Sequence, residues 1–364
     1  MAEEQNTQKI QLRLSPEAER YIRQDAPVDV RRMAAGGSLP LPPVELVTVL
    51  FALAHDAEAE VKERARASLE KLPDGVCRTA LSEHTHPIVL SFCAQLYRDE
   101  PLRLEPLALN GHADDATLVF LAGLPHKSIV DIVSNNQQRM LRCPDIVEAL
   151  GENPLTGRAV IDRILSFLGL ERPDAETLDD ADTLDLPPPA PVTDATATAV
   201  LEAVLGEDVS NFAPELVAED AEVDAEKAQS LHATLQNMSV FDKIKLARLG
   251  NKEARGLLIR DSNKLVASAA VRNPKVTENE VAGFAKSRNV CDEVLRLISR
   301  NKEWTRNYQV KLALATNPKT PQSTAVKFLN YLQERDLRAL MKSKDVPSMI
   351  SNHARRLLQK KGKI

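Results

Sequence analysis

Apolar residues recur at spacings of three and four along most of this chain, and this periodicity limits its fold more than any other feature. Two such runs flank a turn at 55–58, and their apolar positions are Leu50, Leu53 and Ala54, then Val61, Ala65 and Leu69. This spacing is typical of the buried faces of amphipathic helices. The following Leu72-Pro73-Asp74 is a helix stop and a new start. The pattern therefore predicts consecutive antiparallel helices.

The composition agrees with a helical fold. Aromatic residues make up 4% of the 364 residues and glycine occurs 13 times, whereas Ala, Leu, Glu, Lys and Arg are abundant. All-β folds draw on β-branched and aromatic side chains and on glycine-containing turns. We therefore predict an all-α protein, and a sandwich or a barrel is disfavoured.

A short turn motif, Asn-Pro-x-Thr, recurs between the apolar runs. It occurs at Asn153 and Asn317, with a slipped copy at Asn273-Pro274-Lys275-Val276-Thr277. Asn tolerates the conformation that ends a helix, Pro prevents the helix from continuing, and Thr can cap the next helix. After the second copy, Pro321 suits a first helical position. In the slipped copy, Thr277 and Glu280 form a predicted capping box.

Two related repeat families share these patterns. Leu53-Ala-His-Asp56, followed by Val61, Ala65, Leu69 and Leu72-Pro73, resembles one unit of the HEAT family of α-helical repeats. The later Asn-Pro-x-Thr turns resemble the leucine-rich-repeat variant, another α-solenoid type. The resemblance covers residues 40–168 and 240–360, with a 44-residue period from Asn273 to Asn317. It implies curved helical stacks with a concave binding surface.

The net charge of −5 conceals three very different segments. The net charge is −6 over residues 1–170, −15 over 171–240 and +16 over 241–364. Glu171 to Asp194 contains many carboxylates and three consecutive prolines, at 187–189. Such a segment has too little apolar surface to offset the entropy of ordering, so we predict a disordered or extended linker. Weak amphipathic helical potential follows at 197–205.

These features predict two α-α superhelical domains joined by an acidic linker. The predicted limits are an N-terminal, partly flexible segment at 1–39, a helical-repeat domain at 40–170, an acidic Pro-containing linker at 171–235 and a basic helical-repeat domain at 236–364. The sequence leaves open whether the two helical domains stack on each other.

The cellular setting is predicted from cysteine spacing and from the N-terminus. The four cysteines, at 77, 93, 143 and 291, lie too far apart for a C-x-x-C site or a disulfide-stapled scaffold. We find no signal-peptide pattern and no apolar run long enough for a membrane span. We expect a reduced, cytoplasmic protein that does not act at a membrane.

No constellation points to catalysis, a cofactor or a metal. One member type of the variant-repeat family carries an iron–sulfur cluster on a cysteine-rich extension, but the cysteines here are scattered. His84 and His86 offer two imidazoles where zinc needs three or four ligands. Asp114 and Asp115 precede an apolar helix and are typical of a helix N-terminus. Phosphate-binding glycine motifs and the G-x-S-x-G elbow are absent, so we predict a non-enzymatic protein without a cofactor.

The basic C-terminal region gives the main functional lead. Lys245, Arg248 and Lys252 fall at three- and four-residue spacing and are predicted to share one helix face. If the helices stack in parallel, their charges form a stripe that attracts a polyanion. The predicted binding set consists of Lys245, Arg248, Lys252, Arg255, Arg296, Arg300, Lys302, Trp304, Arg306, Tyr308 and Lys311.

The aromatic pair and the acidic linker each allow more than one interpretation. Trp304 and Tyr308 either stack on bases in a basic groove or, as we favour, fill the interface between adjacent repeats. The linker either only joins the two halves or folds over the basic face and competes with an acidic ligand.

Taken together, we expect a cytoplasmic scaffold or adaptor that binds a protein partner, such as an acidic segment, through a helical-repeat surface. The alternative is a nucleic-acid or ribonucleoprotein binder that uses phosphate contacts.

Overall fold

The computed structural model describes residues 12–23, 25–170, 192, 194–218, 225–343 and 345–361. These residues form 23 α-helices and two short 3-10 helices, and they contain no β-strand. The predicted all-α class is confirmed. Contacts divide the chain into two compact units, residues 1–133 and 134–364.

The first unit contains nine helices among its described residues. They are α1 (Pro16–Glu19), α2 (Val28–Ala34), α3 (Pro43–Leu53), α4 (Ala59–Glu70), α5 (Asp74–Ser82), α6 (Pro87–Leu96), α7 (Pro101–Ala108), α8 (Asp115–Gly123) and α9 (Lys127–Val133). Each odd-numbered helix packs on the next odd-numbered one, and α2 packs on α4 as α6 does on α8. This arrangement, in which a helix contacts the helix two positions along, is typical of stacked helical repeats.

The predicted helical faces of this unit are confirmed. Val61, Ala65 and Leu69 are fully buried on α4, and they face α3, where Leu50 is also buried. In the turn between the two helices, the carboxylate of Asp56 pairs with Arg31 of α2. The turn therefore joins α2 to the α3–α4 pair by a charge-assisted contact that is largely shielded from water.

The second unit contains fourteen α-helices among its described residues. They are α10 (Gln137–Arg142), α11 (Pro144–Glu152), α12 (Arg158–Phe167), α13 (Ala195–Leu205), α14 (Ala225–Gln236), α15 (Val240–Leu249), α16 (Lys252–Leu258), α17 (Lys264–Val271), α18 (Glu278–Lys286), α19 (Asp292–Arg300), α20 (Tyr308–Thr316), α21 (Gln322–Leu329), α22 (Glu334–Lys342) and α23 (Ser348–Lys360). The 3-10 helices are Pro214–Leu216 and Trp304–Arg306.

Alternate helices also stack in this second unit. One row consists of α15, α17 and α19, another of α16, α18 and α20, and α21 packs on α23. The earlier helices α11 and α12 pack on α17, and α13 packs on both α10 and α15. The all-helical packing is compatible with a helical-repeat fold.

Buried asparagines connect the ends of stacked helices. After α17, the Asn273 Nδ2 donates to the carbonyls of Ala247 and Arg248 at 2.8 and 2.9 Å, in the last turn of α15. Its Oδ1 accepts a hydrogen bond from the Lys275 N–H at 2.8 Å. We call this arrangement an asparagine bridge. The last carbonyls of a helix have no hydrogen-bond donor within that helix. The asparagine side chain of the bridge supplies the missing donors.

Within the described part of the chain, the same bridge is also made by Asn317 in the second unit and by Asn110 in the first. Asn317, after α20, donates to Ala285 and Ser287 at the end of α18, at 2.8 and 2.9 Å. Asn110, after α7, donates to two carbonyls at the end of α5, at 2.6 and 2.8 Å. Each bridge joins a helix to the helix two positions earlier, so it fixes the register of the stack.

The predicted turn chemistry is correct in part. Asn153 and Asn317 do end α11 and α20, with extended backbones (φ −64° and −75°). The predicted capping by threonine is wrong at both turns, because the next helices begin after Gly157 and Pro321, which make no side-chain cap. Pro321 therefore immediately precedes the first helical position.

The slipped copy of the turn behaves as predicted. Thr277 and Glu280 form the capping box at the start of α18, with each side chain bonded to the backbone N–H of the other residue. The two hydrogen bonds satisfy amide groups that the first turn of a helix leaves free.

The boundary between the two compact units, after residue 133, does not coincide with the predicted limits at 170 and 236. Those limits follow the distribution of charge along the sequence rather than helix packing. The predicted segment 1–39 contains α1 and α2, and the predicted linker contains α13, close to the expected helix at 197–205. The predicted linker also contains the 3-10 helix Pro214–Leu216 and most of α14, and its residues 171–191, 193 and 219–224 lie outside the described residues.

Substitution of a bridging asparagine tests this account of the stack. We expect Asn273→Ala to lower the free energy of unfolding by about 2–4 kcal/mol, because two buried carbonyls lose their donor. Asn273→Asp should be no milder, since an ionised carboxylate cannot donate. Urea denaturation followed by circular dichroism measures both.

The matched control is Asn330→Ala, at an exposed position at the end of α21. It should change stability by less than about 0.5 kcal/mol. Equal effects at positions 273 and 330 would contradict a structural role for the bridge.

Candidate binding surfaces

Among the described residues of the first unit, the most exposed large apolar side chains lie on α7 and on the residue that follows it. Leu102 and Leu109 are 74% and 71% exposed, and Pro106 lies between them. The spacings of four and three residues place these side chains on one face of the helix. Leu104 and Leu107, on the other face, are fully buried. Helix α7 is thus apolar both toward the core and toward the solvent.

Two shallow hollows border this exposed face. One, of about 270 Å³, lies between Asp74, Arg78 and Leu102, and the other, of about 390 Å³, lies between Arg78, Leu102 and Leu109. Both hollows share Arg78 of α5 and Leu102 of α7, so they form one continuous area. We call it the α5–α7 surface.

The charged groups of the α5–α7 surface differ in how they are held. Arg103 is fixed by Asp74 and Glu100, each at 3.1 Å, and its guanidinium lies 5.0 Å from the ring centre of Tyr97. Arg78 and Glu105 form no ion pair with any residue in the described part of the chain. The ion pairs of Arg103 therefore hold α5 and α7 together, while the charges of Arg78 and Glu105 are not neutralised by a neighbouring described residue.

Two members of the predicted binding set are engaged inside the second unit. Lys245 Nζ donates to the Ala203 carbonyl at 2.8 Å, and Arg248 donates to the carbonyls of residues 204, 205 and 206 at 2.6–2.9 Å. These carbonyls belong to the C-terminal end of α13, where the helix dipole favours cations. Both side chains hold a helix from the acidic region in place.

The acidic region therefore does lie against part of the predicted basic face, mainly through its backbone. Hydrogen bonds from Ser210, with a further contribution from Lys245, lower the pKa of the exposed Asp208. Asn251 adds a second attachment, since it donates to the carbonyls of Glu215 and Ala218 at 2.8 and 2.6 Å. Whether this contact competes with a ligand stays a prediction.

The predicted shared helix face of Lys245, Arg248 and Lys252 is wrong. Helix α15 ends at Leu249, and Lys252 begins α16 after a turn, where it is exposed. The turn arises because Gly250 ends one helix and Asn251 caps the next.

Arg255 is only 5% exposed and serves the core. Its guanidinium contacts both carboxylate oxygens of Glu280, at 2.9 and 3.2 Å. Although burial opposes ionisation of Glu280, hydrogen bonds from Arg255 and Thr277 lower its pKa. A buried bidentate pair of this kind fixes α16 against α18 and leaves no cation for a ligand.

The remaining basic members lie at the surface. Arg296 lies 3.5 Å from Asp292, and Arg306 lies 3.1 Å from Glu303, whereas Arg300 and Lys302 are exposed. Lys245 and Arg248 are engaged with α13, and a binding stripe formed by the remaining surface members stays a prediction.

One member of the aromatic pair, Tyr308, contacts a neighbouring helix. Tyr308 donates its hydroxyl hydrogen to Asp336 and accepts from the Gln333 N–H at 3.0 Å, which joins α20 to α22. Lys311 lies 5.4 Å from the ring centre of Tyr331. Trp304 is half-buried in a 3-10 helix. The Tyr308 contacts favour the interpretation in which this pair joins adjacent repeats.

Candidate metal ligands remain too few among the described residues. His84 is adjacent to His112 of the next turn, with ring centres 4.5 Å apart, rather than to His86. No group of three or more His, Cys, Asp or Glu side chains in the described part of the chain is placed to hold a metal ion. Asp114 caps α8 through a hydrogen bond to the Thr117 N–H, and Asp115 lies in its first turn. None of the four cysteines forms a disulfide with another cysteine of the described residues.

The second unit contains a buried charge cluster at the contacts of α12, α17 and α19. Arg272, whose side chain is 1% exposed, pairs with Asp162, which also lies 3.5 Å from Arg158. Glu293, in the first turn of α19, is buried nearby, and its Oε1 accepts no hydrogen bond. Burial raises the pKa of Glu293, and the charges of Arg158 and Arg296 offset this only in part.

Comparison of the chain with protein-family models, with curated proteins and with solved structures finds no match. None of the described helices combines the length and hydropathy that a membrane crossing requires.

The buried Glu293 predicts a specific pH dependence of stability. Because its pKa is raised in the folded state, the folded chain binds this proton more tightly than the unfolded chain does. The contribution is therefore favourable at low pH and is lost as the pH rises above about 4.5, the ordinary value. We expect Glu293→Gln to raise the urea midpoint at pH 7 and to change it less at pH 4.

Glu280→Gln is the matched control and should act in the opposite direction. Its lowered pKa means that the ionised form stabilises the fold at pH 7. If Glu293→Gln also destabilised the chain at pH 7, the assignment of Glu293 as an uncompensated buried carboxylate would be wrong.

Proposed function

We propose that this chain is a non-enzymatic scaffold or adaptor that binds a protein partner through its helical-repeat surface, in the reducing cytoplasm. The observation that carries the proposal is the α5–α7 surface, where Leu102 and Leu109 face the solvent on a helix that also supplies the core. Single exposed leucines are ordinary, but a contiguous apolar face beside hollows is typical of a protein-binding site.

The character of the partner follows from the chemistry of this surface. Apolar side chains spaced about 10 Å apart along a helix suit an amphipathic partner helix, which presents anchors at similar intervals. Arg78 offers a charge for a carboxylate at the rim, and Glu105 offers one for a cation. Arg103 stays within its own ion pairs, so it keeps α5 and α7 fixed while a partner docks.

The packing of alternate helices supports a scaffold role. Each asparagine bridge removes freedom between stacked helices, so an exposed face such as that of α7 is preorganised for binding. A HEAT-like or variant-repeat identity fits this arrangement and remains part of the proposal. The exposed members of the predicted binding set, such as Lys252 and Lys302, remain secondary candidates for partner contacts.

Substitution of the two exposed leucines tests the proposal. The full chain is immobilised as wild type, as the double variant Leu102→Glu/Leu109→Glu, and as the control Met33→Glu. Met33 is 61% exposed in the same unit and lies outside the α5–α7 surface. Proteins retained from the source cytosol after nuclease treatment and a high-salt wash are quantified by mass spectrometry.

We expect the wild type and Met33→Glu to retain the same partner, and the double variant to retain at least tenfold less. Loss of one buried leucine contact is worth about 1.5–3 kcal/mol, and every 1.4 kcal/mol is a factor of ten. A photo-cross-linking residue at Ser82, on the rim of the second hollow, should couple to that partner. Equal retention by all three chains, or no retained protein, would refute the proposal.

A further inference from the structure

The last helix of the chain has a clearly divided surface. On α23, Ile350, Ala354 and Leu358 are buried at a spacing of four residues and belong to a core cluster that α21 and α22 complete. The opposite face is therefore fixed toward the solvent. It presents Asn352, Arg355, Arg356, Gln359 and Lys360, all exposed.

This face carries cations without neighbouring carboxylates. The sequence of α23, SMISNHARRLLQK, contains no Asp or Glu. Three other exposed arginines of the second unit have an acid one turn away on the same segment, as in Arg296 with Asp292, Arg306 with Glu303 and Arg338 with Glu334. In the described part of the chain, Arg355, Arg356 and Lys360 form no ion pair.

The helix dipole explains only some of these charges. Lys360 and Lys361 lie at the C-terminal end of α23, where cations stabilise a helix. Arg355 and Arg356 lie in the middle of the 13-residue helix, outside its last turn. Arg356 and Lys360 are like charges four residues apart on the helix, so they repel each other, and the positive potential that they share attracts an external anion.

The arrangement suits phosphate groups on a polymer. A guanidinium donates two parallel hydrogen bonds to a phosphate, and Asn and Gln side chains are frequent phosphate contacts. A lipid bilayer is a poorer match, because an interfacial helix buries its apolar face in the membrane, and here that face is already in the core. We propose that the outer face of α23 binds the phosphate backbone of nucleic acid.

This site differs from the one that the charge distribution first suggests. Lys245, Arg248 and Arg255 are already bound to backbone carbonyls or to Glu280. Arg355 and Arg356 lie instead on the final helix, where they are adjacent, exposed and without an ion pair among the described residues. The inference is independent of the α5–α7 surface, which lies in the other unit.

Fluorescence polarisation with labelled single-stranded RNA and duplex DNA of mixed sequence tests the proposal. The full chain is compared with Arg355→Gln/Arg356→Gln and with the control Arg288→Gln/Arg338→Gln, at two exposed arginines that form ion pairs. Each variant removes two positive charges from exposed helical or turn positions of the same unit, so the net charge of both is equal. Thermal unfolding confirms that each variant is folded.

We expect the wild type to bind at least one of the two probes and to lose affinity steeply between about 50 and 200 mM salt. Arg355→Gln/Arg356→Gln should weaken binding at least tenfold and reduce the slope of log K against log salt by about 1.4–1.8, at roughly 0.7–0.9 per phosphate contact. The control should bind within twofold of the wild type.

Three results would overturn the proposal. They are the absence of salt-dependent binding by the wild type, equal losses in the two double variants, and binding of polyglutamate or of anionic lipid vesicles as tight as that of the nucleic acids. Either of the first two results would show that Arg355 and Arg356 do not form a nucleic-acid site. The third would show that the ligand of this face is another polyanion or a membrane.

Discussion

The asparagine bridge is the interaction on which the stacked arrangement depends. Helix packing alone buries apolar faces, but it leaves the last carbonyls of each helix without donors. At Asn110, Asn273 and Asn317 a buried amide supplies both donors, as Asn273 does for the end of α15. Because an amide has two N–H groups and one oxygen, a single side chain also holds its own turn. Apolar contact and backbone hydrogen bonding therefore specify the same neighbour.

Charged side chains also link neighbouring helices at several positions in the second unit. Arg248 collects three carbonyls at the end of α13, and Arg255 is paired with a carboxylate between α16 and α18. A guanidinium is well suited to this because its five donors lie in one plane. A large positive charge over a segment is thus no measure of a binding surface. The informative cations are those, such as Arg356, that have no local anion.

The sequence predicts the class and several details of this fold. The spacing of Val61, Ala65 and Leu69 predicts their burial, and Thr277 with Glu280 predicts the start of α18, since both signals are local. The bridges and the role of Arg255 could not be predicted, because the partners lie two helices away and depend on the register of the stack. Leu102 and Leu109 were missed as well. Their spacing can be seen in the sequence, but a leucine-rich helix is predicted to be buried unless its neighbours in the fold are known.

Each bridge spans from one helix to the helix two positions earlier, and this has a consequence for how such a chain can change in length. Insertion or loss of a whole helix pair keeps every asparagine opposite the end of a helix that runs in the same direction. Insertion of a single helix would instead move every following helix into the other row of the stack, so the bridge that spans the insertion would face a helix of the row with which its own helix does not pack. Growth of this architecture is therefore restricted to steps of two helices.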